Sequence, residues 1–476
     1  MMMSESDSLN RRAVLKTMAS GAAAAGAGAN LVVGSASRAD TLEPNHASRK
    51  QQEPSTTRVP PASRFLLKSQ QLPEPRIVLP TDALPAKQEP PRRLAAITTT
   101  YFKYSHADDI ITKFIEGYSV LGRVHEPRCK VVSLSIEQFP ESDIGRGMAA
   151  RYGIPLYGSP AEALCLGGEQ LAVDGVILVG EHGDYPHNMK GQHLYPRRRL
   201  FEEIVSVFRR SGKSVPVYND KHFSYSWENA RWMYGQSRVL GFPMMAGSSV
   251  PVAWRKPALA LGQGVDLESA LAFGFAGLEV YGFHTLELLQ AFVERRGSKS
   301  QGVRAVQCLE GKAAWEAAEQ GRWPAHLVQN ALRTLPKQQG VELGLNELRK
   351  ADPNAIALMI EYADGFEGTA YLSRGLADEF AFAAKVREVT EPVATWAILN
   401  KPQRDHFSFL CNHIEIMFRT GQPSYPVERT YLVTGILSAL IDSHAEGGTR
   451  IETPHLASLT YQPASEILDS EREESR

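Results

Sequence analysis

The sequence is poor in cysteine, almost without net charge and, past its first forty residues, without any long apolar run. Only four cysteines occur, Cys129, Cys165, Cys308 and Cys411, and none forms a Cys-x-x-Cys pair. That excludes a disulfide framework read from spacing, and buried free thiols are expected. Lysine and arginine number 52 against 53 aspartates and glutamates, so no global field draws the chain to nucleic acid or to an acidic membrane. Beyond the N-terminal segment no run of about 18 apolar residues exists, so no stable span is expected after processing. Internal repeats are absent. What is present is a chain of 476 residues, long enough for two or three domains with sizeable cores.

The N-terminus reads as a targeting segment over 1–39. Arg11-Arg12 precedes Leu15-Lys16 and a soft Ala/Gly run from Met18 to Val33, with small residues near Ala39. Paired arginines before a weakly apolar stretch resemble a twin-arginine export signal. The twin-arginine machinery is then a partner, and the protein is expected in the periplasm or outside the cell. Residues 40–92 carry many Pro, Gln, Ser and Arg without a period and read as a flexible leader. Residues 466–476 read as a charged tail.

Between 93 and 249, short apolar runs alternate with amphipathic stretches, the pattern of a parallel α/β sheet. Strands are expected at 94–99, 130–136, 173–180, 214–219 and 242–247. Helices are expected at 105–118, 142–152, 159–166, 196–211 and 225–240, with Gly153, Gly212 and Gly241 as stops. From 250 to 465 the order changes to an α+β domain with an open, mainly antiparallel sheet. Its strands are expected at 303–309, 355–363, 366–373 and 378–387. Its helices are expected at 284–296, around Trp315, and at 326–335, 406–419 and 427–444. The open sheet offers a face for pairing, so a homo-oligomer is one expectation.

The first strand, turn and helix of the parallel sheet are arranged as in a Rossmann dinucleotide-binding domain. There the turn carries G-x-G-x-x-G, because bare backbone must approach the pyrophosphate. Here the three glycine places hold Thr98, Thr100 and Lys103. Glu137 closes the second strand, where an acid usually meets a ribose hydroxyl.

Ligands in such sheets bind past the carboxyl ends of the strands. Past the 173–180 strand stand Glu181, His182, Asp184 and His187; past the 214–219 strand stand Asp220, Lys221 and His222. Tyr281-Gly282-Phe283-His284 heads the second domain's helix. Such a group can supply acids, bases or metal ligands. Each residue also has a plain structural alternative: a capped polar turn for 181–187, a solvated surface lysine, a helix-terminal histidine. His106, His125, His406, His413 and His455 read as structural or exposed.

These segments together resemble the glucose–fructose oxidoreductase/inositol dehydrogenase (Gfo/Idh/MocA) family over about 94–462. Ala149-Ala150-Arg151-Tyr152-Gly153-Ile154-Pro155 looks like the family's helix-turn after the second strand, and Val173-Asp174-Gly175-Val176 like its next strand. Val217-Tyr218-Asn219-Asp220-Lys221-His222 stands where the family has E-K-P. Gly282-Phe283-His284-Thr285-Leu286-Glu287 resembles its G-x-H-x-x-D segment. The resemblance implies a Rossmann-like domain followed by an α+β substrate domain, oxidoreductase activity on a carbohydrate-like substrate (a sugar or cyclitol), and NAD(P). It implies catalytic roles for Lys221 and His284, with Thr98, Thr100, Lys103, Glu137 and Glu181 facing the cofactor. The residues leave an alternative open, a nucleotide-free sugar hydrolase, lyase or isomerase. It would use a divalent metal on His182, Asp184, His187, Asp220 and His222. A non-catalytic carbohydrate-binding role also stays open.

Overall fold

The computed structural model describes residues 90–464 except 121–122 and 401–403. The expected signal segment, nearly all of the leader and the charged tail lie outside the described residues.

The first half builds β1 (Arg92–Thr98), α1 (His106–Glu116), β2 (Tyr118–Val120), β3 (Arg123–His125), β4 (Cys129–Ile136), α2 (Gly145–Tyr152), β5 (Leu156–Tyr157), α3 (Pro160–Cys165) and β6 (Gly175–Val179). It continues with α4 (Arg197–Ser211), β7 (Val217–Asp220), α5 (Trp227–Leu240) and β8 (Met244–Gly247). Six strands form one sheet in the order β5-β4-β1-β6-β7-β8, and every pair is parallel. This is the doubly wound Rossmann order, in which strand order reverses beside β1. Its central strands are apolar runs because helices cover both faces. Gly153, Gly212 and Gly241 end α2, α4 and α5 in the left-handed conformation expected of helix stops.

The second half contributes β9 (Trp254–Lys256), β10 (Leu267–Phe275), α6 (Val280–Val293), β11 (Val303–Glu310), α7 (Lys312–Glu319), α8 (His326–Thr334), α9 (Leu345–Ala351), β12 (Ile356–Tyr362), β13 (Glu367–Ser373), β14 (Phe380–Val386) and β15 (Val393–Ile398). It closes with α10 (Asp405–Thr420), α11 (Val427–Ala445), β16 (Ile451–Glu452) and α12 (Pro454–Ala457). Its eight-stranded sheet runs β16-β11-β12-β13-β10-β14-β15-β9. Only β10 with β13 is parallel; the other neighbours are antiparallel. The expected four strands are all present. The central strand β10 was hidden in sequence inside a glycine-containing apolar stretch, and β9 and β15 were also missed.

Neither face of this sheet is bare. Leu286, Leu289 and Phe292 of α6 cover one side together with Leu432 and Ile436 of α11. Trp315, Leu327 and Leu332 cover Leu271, Phe273 and Tyr371 on the other. The face expected to be free for pairing is therefore occupied by the chain's own helices.

Two late helices tie the sheets together. Phe409, Leu410, Ile414 and Phe418 of α10 complete the core over β1 and α1. A Cβ at Gly175 would come within 2.5 Å of the Phe418 ring, so that strand position must be glycine. Along α11, Val427 and Tyr431 pack into the parallel-sheet core while Leu432 and Ile436 pack against the mixed sheet. Thr430 Oγ1 donates to Ala246 O at 3.0 Å, and Phe223 N donates to Thr434 Oγ1 at 3.2 Å. The ends of β7 and β8 are thereby fixed against the second domain.

Candidate active site

The site begins where β7 stops. Lys221 follows with φ +61, a left-handed conformation costly for a residue with a Cβ. It is held there by Gly247: Lys221 N donates to Gly247 O at 3.2 Å, and Gly247 N donates to Lys221 O at 3.1 Å. A Cβ on Gly247 would lie 2.6 Å from Thr430 Oγ1 and 2.7 Å from Glu287 Oε2. This turn aims the lysine along the carboxyl edge of the sheet.

Lys221 Nζ donates to Glu181 Oε1 at 2.8 Å, and Arg197 binds the other oxygen of Glu181. All three are buried. Burial pushes the Glu181 carboxyl up, but the two cations outweigh it and hold it well below the usual range. Arg197 Nη1 also lies 3.3 Å from His222 Nε2. Burial first, then that guanidinium, holds His222 well below the ordinary imidazole value.

From the second domain, α6 brings His284 in its first turns. Ser248 Oγ lies 2.6 Å from its Nδ1. Burial and then the Lys221 charge push it well below the usual value, so it is neutral, as its place near a helix N-terminus predicts. One turn on, Glu287 is buried and pushed up to about 7.

His106 completes the group, and sequence reasoning set it aside as structural or exposed. Its ring is 6.2 Å from that of His284 and 5.8 Å from that of His182. Asp220 Oδ2 accepts from His106 Nδ1 at 2.7 Å. The usable signal was its place at the first helical position after β1, on the same sheet edge as the 220–222 cluster. His182, at φ +68, packs edge-on to Phe102 and is lowered by burial to about 4. Imidazoles from α1, the β6 end and α6 thus meet beside Lys221. They can donate to, accept from and exchange protons with a hydroxylated ligand.

The remaining sequence candidates lie elsewhere or are already paired. Thr98 Oγ1 donates to Thr100 O and Val179 O and so faces the protein, while Thr100 is buried with its Oγ1 unpartnered. Lys103 is exposed and pairs with Asp108 at 3.0 Å. Glu137 accepts from Tyr185 Oη at 2.9 Å and from Arg199. Asp184 is held through its backbone by Gln138. His187 stacks on His193 at 4.2 Å. The metal set does not converge: among the described residues no three His, Cys, Asp or Glu side chains are grouped to hold a metal ion. Asp220 is taken by His106, and the Arg197 guanidinium beside His222 opposes a cation there.

The seat of a dinucleotide pyrophosphate, the N-terminus of α1, can be tested directly. Ser105 caps it by accepting from Asp108 N, and the Asp108 carboxylate accepts from Tyr104 N at 2.9 Å. Asp108 and Asp109 are both buried in the first turn. Asp109 is pushed up to about 6 by burial against the pull of Arg404. Free amides and a positive helix end are what bind phosphate; here the Phe102, Tyr104 and Asp108 amides are used by side chains and acids occupy the end. The residues do not fit a pyrophosphate in that seat.

No protein-family profile matches the chain, and no curated protein matches it. Solved structures do. A protein of gentamicin A biosynthesis in complex with NAD is 14% identical, covering 78% of this chain and 99% of its own, with a TM-score of 0.48. A probable dehydrogenase from Thermotoga maritima is 11% identical over 76% of this chain and 99% of its own, TM-score 0.46. The scyllo-inositol dehydrogenase from Lactobacillus casei is 9% identical over 76% and 98%, TM-score 0.46. Dehydrogenases of this kind, an inositol dehydrogenase among them, are what the chain is similar to.

Proposed function

We propose that the chain is an exported, oxidoreductase-like enzyme of the Gfo/Idh/MocA type, acting on a sugar or cyclitol. The observation that carries this is the meeting of Lys221 and His284, one from each sheet's domain, beside His106 and His182. In the immediate centre two cations, Lys221 and Arg197, balance two carboxylates, Glu181 and Asp220. The imidazoles of His182, His222 and His284 are kept neutral by burial. A balanced site lined by neutral donors and acceptors suits an uncharged polyol better than a phosphate or carboxylate. In this reading Lys221 exchanges the proton of a substrate hydroxyl, Glu181 and Arg197 hold it in place, and His284 orients that hydroxyl.

A second reading rests on the acid-filled end of α1. Without a dinucleotide in its ordinary seat, the same groups would serve a redox-neutral proton transfer such as isomerisation or elimination. The test is a panel of cyclitols and hexoses incubated in D₂O with and without NAD(P)+. A two-electron-oxidised product favours the first reading. Deuterium incorporation without oxidation favours the second. No chemical change in any panel member removes both.

A further inference from the structure

The chain after β6 does not run directly to α4. It leaves Val179, passes over β1 and reaches β4 before turning back. Thr99 Oγ1, just past β1, donates to Glu181 O at 2.7 Å. Just past β4, Gln138 Nε2 donates to Asp184 O at 3.1 Å, and Asp184 N donates to Gln138 Oε1 at 2.8 Å. Tyr185 Oη donates to Glu137. The return is a closed turn: Asn188 N donates to Gln192 O, and Leu194 N to Pro186 O, both at 2.9 Å. His193 stacks on His187, with Tyr195 4.1 Å from His193. Arg199 of α4 then grips Glu137 from the far side.

Those three strand ends, β6, β1 and β4, are where a dinucleotide lies in this sheet order, with the acid after β4 holding the adenosine ribose. We infer that residues 181–195 are a built-in occupant of that groove. Tyr185 and Arg199 take both oxygens of Glu137, so the ribose contact is made by the protein itself. Gln138 is satisfied by the backbone of Asp184. Asp108, paired with Lys103, and Asp109, paired with Arg404, occupy the pyrophosphate end independently. Entry of a dinucleotide requires all of these bonds to break, and it places its phosphates against Asp108 and Asp109. The oxidoreductase reading then requires a hydride acceptor other than a dinucleotide held in this groove, such as a second carbonyl compound, whereas the redox-neutral reading requires none.

The test is calorimetry of the full chain with NAD+, NADH, NADP+ and NADPH, together with amide hydrogen exchange over 181–195. The expected result is no saturable binding tighter than about 1 mM, with the segment's exchange unchanged. A Gln138→Ala/Tyr185→Phe variant should speed exchange across 181–195 and still bind none of the four, because the acids of α1 remain. Micromolar binding, faster exchange in 181–195 on adding nucleotide, or nucleotide released from the purified protein by acid would overturn the inference. Failure of the polyol panel under the same conditions speaks against the proposed function alone.

Discussion

His106, the first residue of α1, is joined to Asp220, the last residue of β7, by a 2.7 Å hydrogen bond across the edge of the sheet. The carboxylate accepts from Nδ1, so the other ring nitrogen is the one available to a ligand. In a dinucleotide-binding fold this helix start faces a phosphate; here it carries an imidazole oriented by a buried acid. Asp220→Asn is expected to lower turnover by about tenfold to a hundredfold by releasing the ring's tautomer and orientation. A His106→Asn variant of equal thermal stability should lose at least as much. Full activity in both would remove His106 from the site.

A solvated surface lysine is the plain structural alternative that the sequence offers for Lys221. The structure corrects this: Lys221 is 3% exposed and shares Glu181 with Arg197. Glu181→Gln should therefore be the more damaging change, because it leaves two buried cations facing each other. A loss of about 3–5 kcal/mol is expected. Lys221→Ala should cost less, since Arg197 still pairs with Glu181. Denaturant unfolding of the two variants gives the order, and a reversed order would contradict the assignment of Glu181 as the shared counter-charge.

Four buried histidines and the half-buried His182 set the acid limb of stability. Burial lowers His182 and His413 to about 4 and His406 to about 3, with His222 and His284 well below the ordinary value. The unfolded chain binds these protons from about pH 6.5 downward and the folded chain does not, so stability falls as pH drops from about 6.5 to 4. Asp109, Glu203, Glu279 and Glu287 are raised by burial and act oppositely, but the five histidines outnumber these four. His413→Leu removes one of the five without touching the site. It should flatten the fall of Tm with acidification; an unchanged slope would show that His413 titrates normally.

The proposal of export rests on Arg11-Arg12 ahead of the soft Ala/Gly run. Replacing both with lysine should retain the precursor in the cytoplasm. Continued export of that variant through the twin-arginine route would mean the signal has been misread.

The legible parts of this fold were those with strong periodicity. Short apolar runs, with Gly153, Gly212 and Gly241 stopping the helices between them, located the parallel sheet, and the strand-end rule pointed to Lys221. Long-range partnership was not legible. Nothing in the sequence near His106 points to Asp220, 114 residues on. Nor does Glu181 announce Arg197 and Lys221 as its partners. Thr98 and Thr100 hold the glycine places as expected. Only the structure shows that both are buried, with Thr98 hydrogen-bonded inward, and that Asp108, three residues after Ser105, takes over the end of the helix. Strand β10 was obscured because Gly274 interrupts its apolar pattern. In the fold that glycine admits Thr285, whose Oγ1 would be 2.0 Å from a Cβ there.

The central claim is that polyol chemistry occurs between Lys221 and His284. The most direct measurement is turnover of an active cyclitol or hexose by wild type, Lys221→Ala and His284→Ala, with Tm recorded for each. Lys221→Ala should reduce kcat by about 10²–10⁴, and His284→Ala should raise KM more than it lowers kcat. Near-full activity in both variants at unchanged Tm would place the reaction elsewhere in the molecule.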